Sequence, residues 1–563
     1  MLSFSERDYW LTQFHGDWAK EMMMQESQLT SGIKIIDSKL GSRANKYQAP
    51  MFFLSMNGPS TETEGEVMAG TLAWTGNFQF VFEISETNTL RVITGINPYA
   101  SEYHLKPGEI FKTPEFIYTW SNKGKGQASR NLHKWAQKYQ VLDGEGSRYT
   151  LLNNWEATYF DFNEDRLVEL FDGAKNLGVD LFLLDDGWFG NKYPRSNDRA
   201  GLGDWQETKE KLPHGIGYLV QQAEAKGIKF GIWIEPEMVN PKSELYENHP
   251  DWILKLPNRP EHYSRNQLVL DMSNPEVQKF VYDVVDGLLT KYPGIAFFKW
   301  DCNREMTNTW SPYLGENQSH IYIEYVRGFY KVMEDLRKKY PNLPIMLCSG
   351  GGGRTDYGAM KYFTEFWPSD NTDAVNRIYI QWGYSYFFPA NTICNHITTM
   401  GNQSLKFRTD VAFMDKMGWD IRVEEFTPEE LAFSQQALKD YNRLKNVIWF
   451  GDLYRLVSPY EENRASLMYV SEEKDKAVLF CYTMNAYREN ITNPVKLQGL
   501  DPDKKYEIKE INVMQREGGR RQFRFGGNEN RVYSGDYLMK VGYNVMAGRG
   551  DLSSNVFEIS ETE

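Results

Sequence analysis

At 563 residues the chain exceeds a single ordinary core, so two to four domains are expected. Hydrophobic residues make up 41% and charged residues 25%, the balance of a soluble globular protein. A net charge of −13 without any basic stripe argues against nucleic acid as a partner, and no apolar run is long enough to span a membrane.

Aromatic residues reach 15%, with 16 Trp and 34 Tyr. Most must serve large cores, but those at strand ends suit stacking on the C–H face of a pyranose ring. Cys302, Cys348, Cys394 and Cys481 are widely spaced, and the eight histidines contain no HExxH pair, so neither a disulfide framework nor a metal site is indicated. The opening Met1-Leu2-Ser3-Phe4-Ser5-Glu6-Arg7 is no signal peptide. As it stands the chain is expected to be cytoplasmic; an upstream segment would open a periplasmic or secreted location.

Three regions differ in pattern. Residues 1–150 alternate apolar and polar positions in Phe78–Ile84, Leu90–Thr94 and Phe116–Trp120, with turn clusters between them. That predicts an antiparallel β-sandwich closed by one helix near 126–139. Residues 151–451 alternate short apolar runs with helical stretches. Strands are expected at Leu181–Leu184, Phe230–Ile234, Ile295–Trp300, Ile345–Cys348 and Phe363–Trp367, and helices at Glu164–Leu177, Val277–Lys291 and Ile321–Lys339. Asn274-Pro275-Glu276 and Thr427-Pro428-Glu429-Glu430 read as helix starts. Roughly 300 residues of β-then-α units fit a (β/α)8 TIM barrel. A doubly wound open sheet is the alternative, but no GxGxxG follows any strand. Residues 452–563 return to β alternation and predict a second β-sandwich.

Polar clusters fall at successive expected strand ends: Trp155-Glu156, Asp185-Asp186, Glu235-Pro236-Glu237, Lys299 and Asp301, Cys348–Arg354, and Asp370. One isolated aspartate at a strand end is usually a helix cap. Six clusters on one barrel rim point to a site, because barrel loops converge on the axis. Two carboxylates among tryptophans, with no nucleotide or metal signature, are the equipment for breaking a glycosidic bond.

The motifs Leu184-Asp185-Asp186-Gly187-Trp188-Phe189, Ile234-Glu235-Pro236-Glu237-Met238, Ser264-Arg265-Asn266-Gln267-Leu268, Lys299-Trp300-Asp301-Cys302-Asn303-Arg304, Cys348-Ser349-Gly350-Gly351-Gly352-Gly353-Arg354 and Ser369-Asp370-Asn371-Thr372-Asp373 resemble, in order, the signature blocks of glycoside hydrolase family 36. The resemblance implies a retaining α-galactosidase that needs no cofactor or metal and acts on oligosaccharides with terminal α-linked galactose. It implies Asp301 as nucleophile and Asp370 as acid/base, a pair roughly 5–5.5 Å apart in retaining enzymes. It also implies sugar contacts from Asp185, Asp186 and Lys299, a wall from Trp155 and Trp233, Arg265 beside the nucleophile, and Cys348 and Gly351 against the 2-position. Asp373, the rival acid, reads better as a hydrogen-bond acceptor. Trp188 divides evenly between pocket and packing, and Glu235, Glu237 and Arg304 read as supports. Family members usually carry a longer amino-terminal sandwich and assemble as homo-oligomeric tetramers.

Lys299 lies two residues from Asp301 on one strand, so both face the same way and the ammonium favours an ionised nucleophile. Three other readings stay open: an α-N-acetylgalactosaminidase of the same fold, a transglycosylase, and a non-catalytic carbohydrate-binding fragment.

Overall fold

The computed structural model describes residues 2–4, 8–485, 493–514, 531–545 and 552–563; Met1 and residues 5–7 of the opening segment lie outside the described residues. Near the amino terminus, Phe78–Ile84 alternates buried and half-buried positions and pairs antiparallel with Leu90–Ile96, as its period-two pattern requires. These two belong to a four-stranded sheet, which faces a five-stranded sheet that includes Tyr9–His15, Gln48–Met56 and Glu66–Ala73. Phe52, Phe80 and Phe82 meet edge to face between the layers. The closing helix runs Gly124–Trp135 and then widens into a π turn, Ala136–Gln140.

Eight parallel strands follow: β1 Leu151–Asn153, β2 Leu181–Leu184, β3 Lys229–Ile234, β4 Ile295–Trp300, β5 Ile345–Leu347, β6 Glu365–Phe366, β7 Cys394–Ile397 and β8 Lys416–Trp419. β1 pairs with β8, and the single parallel bridge Phe366↔Ile393 joins β6 to β7, so the sheet closes into the expected barrel. The two apolar runs expected to form longer strands, Phe363–Trp367 and Ile345–Cys348, shorten to Glu365–Phe366 and Ile345–Leu347.

Period-two alternation sorts the barrel strands. Leu151, Leu181, Leu183, Phe297 and Met346 fill the interior, while Phe182 turns outward onto Phe171 of the helix Glu164–Leu177. Lys299 and Asp301 continue the inward series begun by Phe297 and so arrive at the carboxyl end of the barrel axis. The helix starts read from sequence form as expected. Asn274 caps Pro275–Lys291, and Thr427 with Glu430 forms a capping box on Pro428–Phe450.

Among the described residues the carboxy-terminal β region is a six-stranded antiparallel sheet containing Leu453, Phe480, Ile508 and Ile559. Arg455 leaves this sheet to bind Glu62 of the amino-terminal sandwich at 3.0 Å, Ser129 of the closing helix at 2.7 Å and the Ser385 carbonyl of the barrel at 2.9 Å. One buried guanidinium thus ties the three regions together. No helix among the described residues is long and apolar enough to cross a membrane.

Candidate active site

The Asp301 carboxylate accepts four hydrogen bonds. Oδ1 takes the N–H groups of Cys302 (2.8 Å) and Gly350 (3.0 Å); Oδ2 takes Asn303 Nδ2 (2.7 Å) and Trp233 Nε1 (3.2 Å). Burial alone would raise its pKa. Lys299, the Gly350 N–H, Asn303 and Arg265 outweigh that and hold the group below its ordinary value, so it is an anion at neutral pH. Behind it, the buried Glu235 accepts from the Asn303 N–H at 2.5 Å and from Gln267 at 3.1 Å. Burial first and the Asp301 charge second push Glu235 up to about 7.

Lys299 Nζ donates to Asp185 Oδ2 at 2.8 Å, and the same oxygen accepts from Asn153 Nδ2 at 2.8 Å. Asn153 Oδ1 in turn fixes the backbone of Trp155, a half-buried residue whose ring packs edge-on against Tyr159 and Phe160. Asp186 makes a two-point ion pair with the fully buried Arg195. Cys348 is buried beside Lys299 and Asp301, and burial raises its thiol pKa well above the ordinary value, so it is a neutral wall residue. Arg265 stands in the left-handed region (φ 49°). Desolvation opposes its charge, but Glu235, Asp301, Asp370 and Asp186 together raise its pKa. The residues expected to share one pocket are therefore linked by bonds or by charge.

Asp370 is held differently. Trp367 Nε1 donates to Oδ1 at 3.1 Å and Trp18 Nε1 donates to Oδ2 at 2.8 Å. Trp367 is itself clamped, with the Arg377 guanidinium 4.5 Å from its ring and His396 at 4.4 Å. Other acids crowd this rim. Burial raises Glu156, with the Asp370 charge adding to it, and burial with Glu156 and Asp185 raises Asp420 well above its ordinary value. Asp373 caps the helix Ala374–Tyr384 through the N–H groups of Val375 and Asn376, as expected for a hydrogen-bond acceptor. Trp188 is fully buried and donates to the Trp233 carbonyl at 3.0 Å, so it packs rather than lines a pocket. An anionic carboxylate in a cage of donors, with a second carboxyl group held by two indoles on the same rim, is equipped for two-step displacement at a carbon bearing an oxygen leaving group.

Three family models match the chain end to end: the glycosyl hydrolase family 36 N-terminal domain over residues 1–106, melibiase over 110–451 and the family 36 C-terminal domain over 464–559. The chain belongs to glycoside hydrolase family 36. Alpha-galactosidase AgaA of Geobacillus stearothermophilus is 35% identical over all of this chain and 75% of its own length, and alpha-galactosidase 1 of Pediococcus pentosaceus is 34% identical over 96% of this chain and 74% of its own. The crystal structure of AgaA superposes with a TM-score of 0.93, covering 100% of this chain and 76% of that one. An AgaA variant in complex with raffinose matches equally well, at 34% identity and a TM-score of 0.93.

In this family 36 chain the amino-terminal sandwich contributes residues that the sequence did not mark. The hairpin between Tyr9–His15 and Met23–Gln28 carries Trp18 to Asp370, and the Ala19 carbonyl accepts from Asn371 Nδ2 at 3.1 Å. Glu21 is buried beside them, and burial with the Asp370 charge raises it to about 7. A second loop brings Arg43 onto the carbonyls of Ser349 (3.1 Å) and Gly350 (3.3 Å), and Asn45 N–H onto Gly353 at 2.8 Å. The glycine run is fixed by these contacts. At Gly351 (φ 87°) a Cβ would lie 2.7 Å from Glu21 Oε1 and 2.8 Å from Ser369 Cα. The tryptophan in Gly16-Asp17-Trp18-Ala19-Lys20-Glu21 was the available signal, but nothing in its spacing shows which strand end it reaches.

Proposed function

We propose that the chain is a retaining exo-α-galactosidase that releases terminal α-linked galactose from oligosaccharides such as melibiose, the raffinose family and galactomannan side chains. The reading is carried by the contrast between the two acids: Asp301 is caged by four donors and ionised, while Asp370 sits at the rim between two indoles. The α-galactosidases that match over the whole chain, one of them with raffinose bound, support the substrate class.

In the first step an Asp301 oxygen attacks the anomeric carbon as the bond to the leaving oxygen breaks, and the proton of Asp370 passes to that oxygen. In the second, water attacks the same carbon, gives its proton to Asp370 and releases the Asp301 carboxylate. Two inversions leave α-galactose. Asp185 and Asp186 are acceptors for the 4- and 6-hydroxyls, held by Lys299 and Arg195. Lys299 donates to the 3- and 4-hydroxyls, Trp155 and Trp233 form the apolar wall, and Arg265 reaches toward the nucleophile's side of the sugar.

Cys348 and Gly351, which is packed against Glu21 and Ser369, are assigned to the 2-position, and this close packing favours a 2-hydroxyl over an acetamido group. The test is turnover of 4-nitrophenyl α-galactoside against the α-N-acetylgalactosaminide. Rapid release from the first alone supports the reading; release from the second, or from neither, defeats it.

A further inference from the structure

The two indoles that bind Asp370 are not equivalent. Trp367 is buried under Arg377 and His396 and cannot leave Oδ1 without dismantling the barrel rim. Trp18 is 57% exposed and stands on a hairpin tip. The tip's backbone is anchored independently of the ring: the Ala19 N–H bonds to Glu21 Oε1 at 3.0 Å, the Ala19 carbonyl accepts from Asn371, and the Trp18 N–H bonds to Asp17 Oδ1 at 2.7 Å. Among the described residues no ring or cation stacks on the Trp18 indole. The side chain can therefore swing without moving the loop that carries it.

The Oδ2 position matters for the chemistry. With Oδ1 turned to the buried Trp367, Oδ2 is the oxygen open to the rim, where a leaving group departs. An oxygen that hands a proton to the leaving group cannot keep a full bond from the Trp18 N–H in the same place. We propose that Trp18 is a displaceable latch on Asp370: its N–H occupies Oδ2 while the leaving-group subsite is empty, and a leaving-group sugar takes that place and packs on the freed indole. This rests on Asp370 being the acid/base.

With a leaving-group sugar bound, the indole stands off Oδ2 and against that sugar. A small leaving group, such as the methoxyl of methyl α-galactoside, leaves the indole in place.

The experiment compares wild type with Trp18→Phe, which keeps the ring and removes the N–H, on raffinose and on methyl α-galactoside. In Trp18→Phe kcat/KM on raffinose rises several-fold, because no bond to Oδ2 has to be displaced. kcat on raffinose stays where it was, because bound substrate has already opened the latch. On methyl α-galactoside both constants rise. Trp18→Ala, which also lacks the ring, additionally raises KM for raffinose several-fold and matches Trp18→Phe on methyl α-galactoside. Unchanged constants on both substrates overturn the proposal, as does an equal change of kcat and kcat/KM on raffinose, which marks a permanent support. A thermal melt confirms that each variant is folded. The underlying reading fails separately, if Asp370→Ala keeps full activity on raffinose.

Discussion

Lys299 bonds to Asp185, at the end of a strand two places away in the barrel, at 2.8 Å, rather than to Asp301 two residues along its own. One ammonium thereby serves two acids, pairing with the first and lowering the pKa of the second through space. Lys299→Met should raise KM because Asp185 loses its orientation. It should also move the acidic limb of kcat/KM upward, because Asp301, held below its ordinary value, loses the largest charge that keeps it ionised. A loss of about a thousandfold in kcat/KM is expected, corresponding to ~4 kcal/mol. A pH–rate profile on melibiose checks it, and an unshifted acidic limb counts against the assignment of Asp301.

Azide separates the two carboxyl roles. With Asp301→Ala the β face is open, and azide attacking an activated α-galactoside gives the β-azide. With Asp370→Ala a good leaving group still departs, the galactosyl-enzyme forms, and azide entering from the other face gives the α-azide. Proton NMR of the products reads the anomers. Exchanged anomers would reverse the roles.

Gly351→Ala places a methyl group within 2.8 Å of the Ser369 backbone at a positive φ, which costs about 1–3 kcal/mol of strain before any neighbour moves. The relief available is displacement of Ser369 and with it Asp370. A fall in kcat/KM of a hundredfold or more, with a lowered melting temperature, is expected. Unchanged activity would mean that this loop is not held as described.

Asp356 is fully buried where the amino-terminal sandwich meets the barrel. Its Oδ1 accepts from Thr75 at 3.0 Å and from the Gly358 and Ala359 N–H groups, and Oδ2 has no partner. Burial raises its pKa to about 7, against 3.8 unperturbed. A raised carboxyl contributes stability that is complete below about pH 4 and is lost as pH rises through 7. Asp356→Asn keeps the Oδ1 acceptor and cannot ionise, so it should match wild type near pH 4 and exceed it above pH 7, by on the order of a few kcal/mol. Urea denaturation at the two pH values decides; equal stability at pH 8 would place the Asp356 proton elsewhere.

The barrel and its rim were legible because period-two alternation carries Phe297, Lys299 and Asp301 inward together and because polar residues follow each apolar run. β1 was expected ahead of Trp155 without bounds, and β7 and β8 were missed, since Cys394–Ile397 and Lys416–Trp419 interleave Asn395, His396 and Lys416 and offer no apolar run. Lys299 was expected to serve Asp301, but its partner could not be read, because Asp185 lies 114 residues away and meets it only through strand register. Trp18 and Arg43 escaped for a different reason. Their own segments obey sandwich patterning, and their function depends on how two separately patterned regions dock.

That docking divides the labour of the enzyme in a way that can be used. The turn of residues 16–22 joins two antiparallel strands; Glu21 and Met22 are buried against the barrel, while Asp17, Trp18 and Lys20 are exposed, so these three can be varied while the nucleophile and the galactose wall stay intact. A library confined to those three exposed positions would sample new preferences for what is attached to the galactose, leaving the choice of galactose itself untouched.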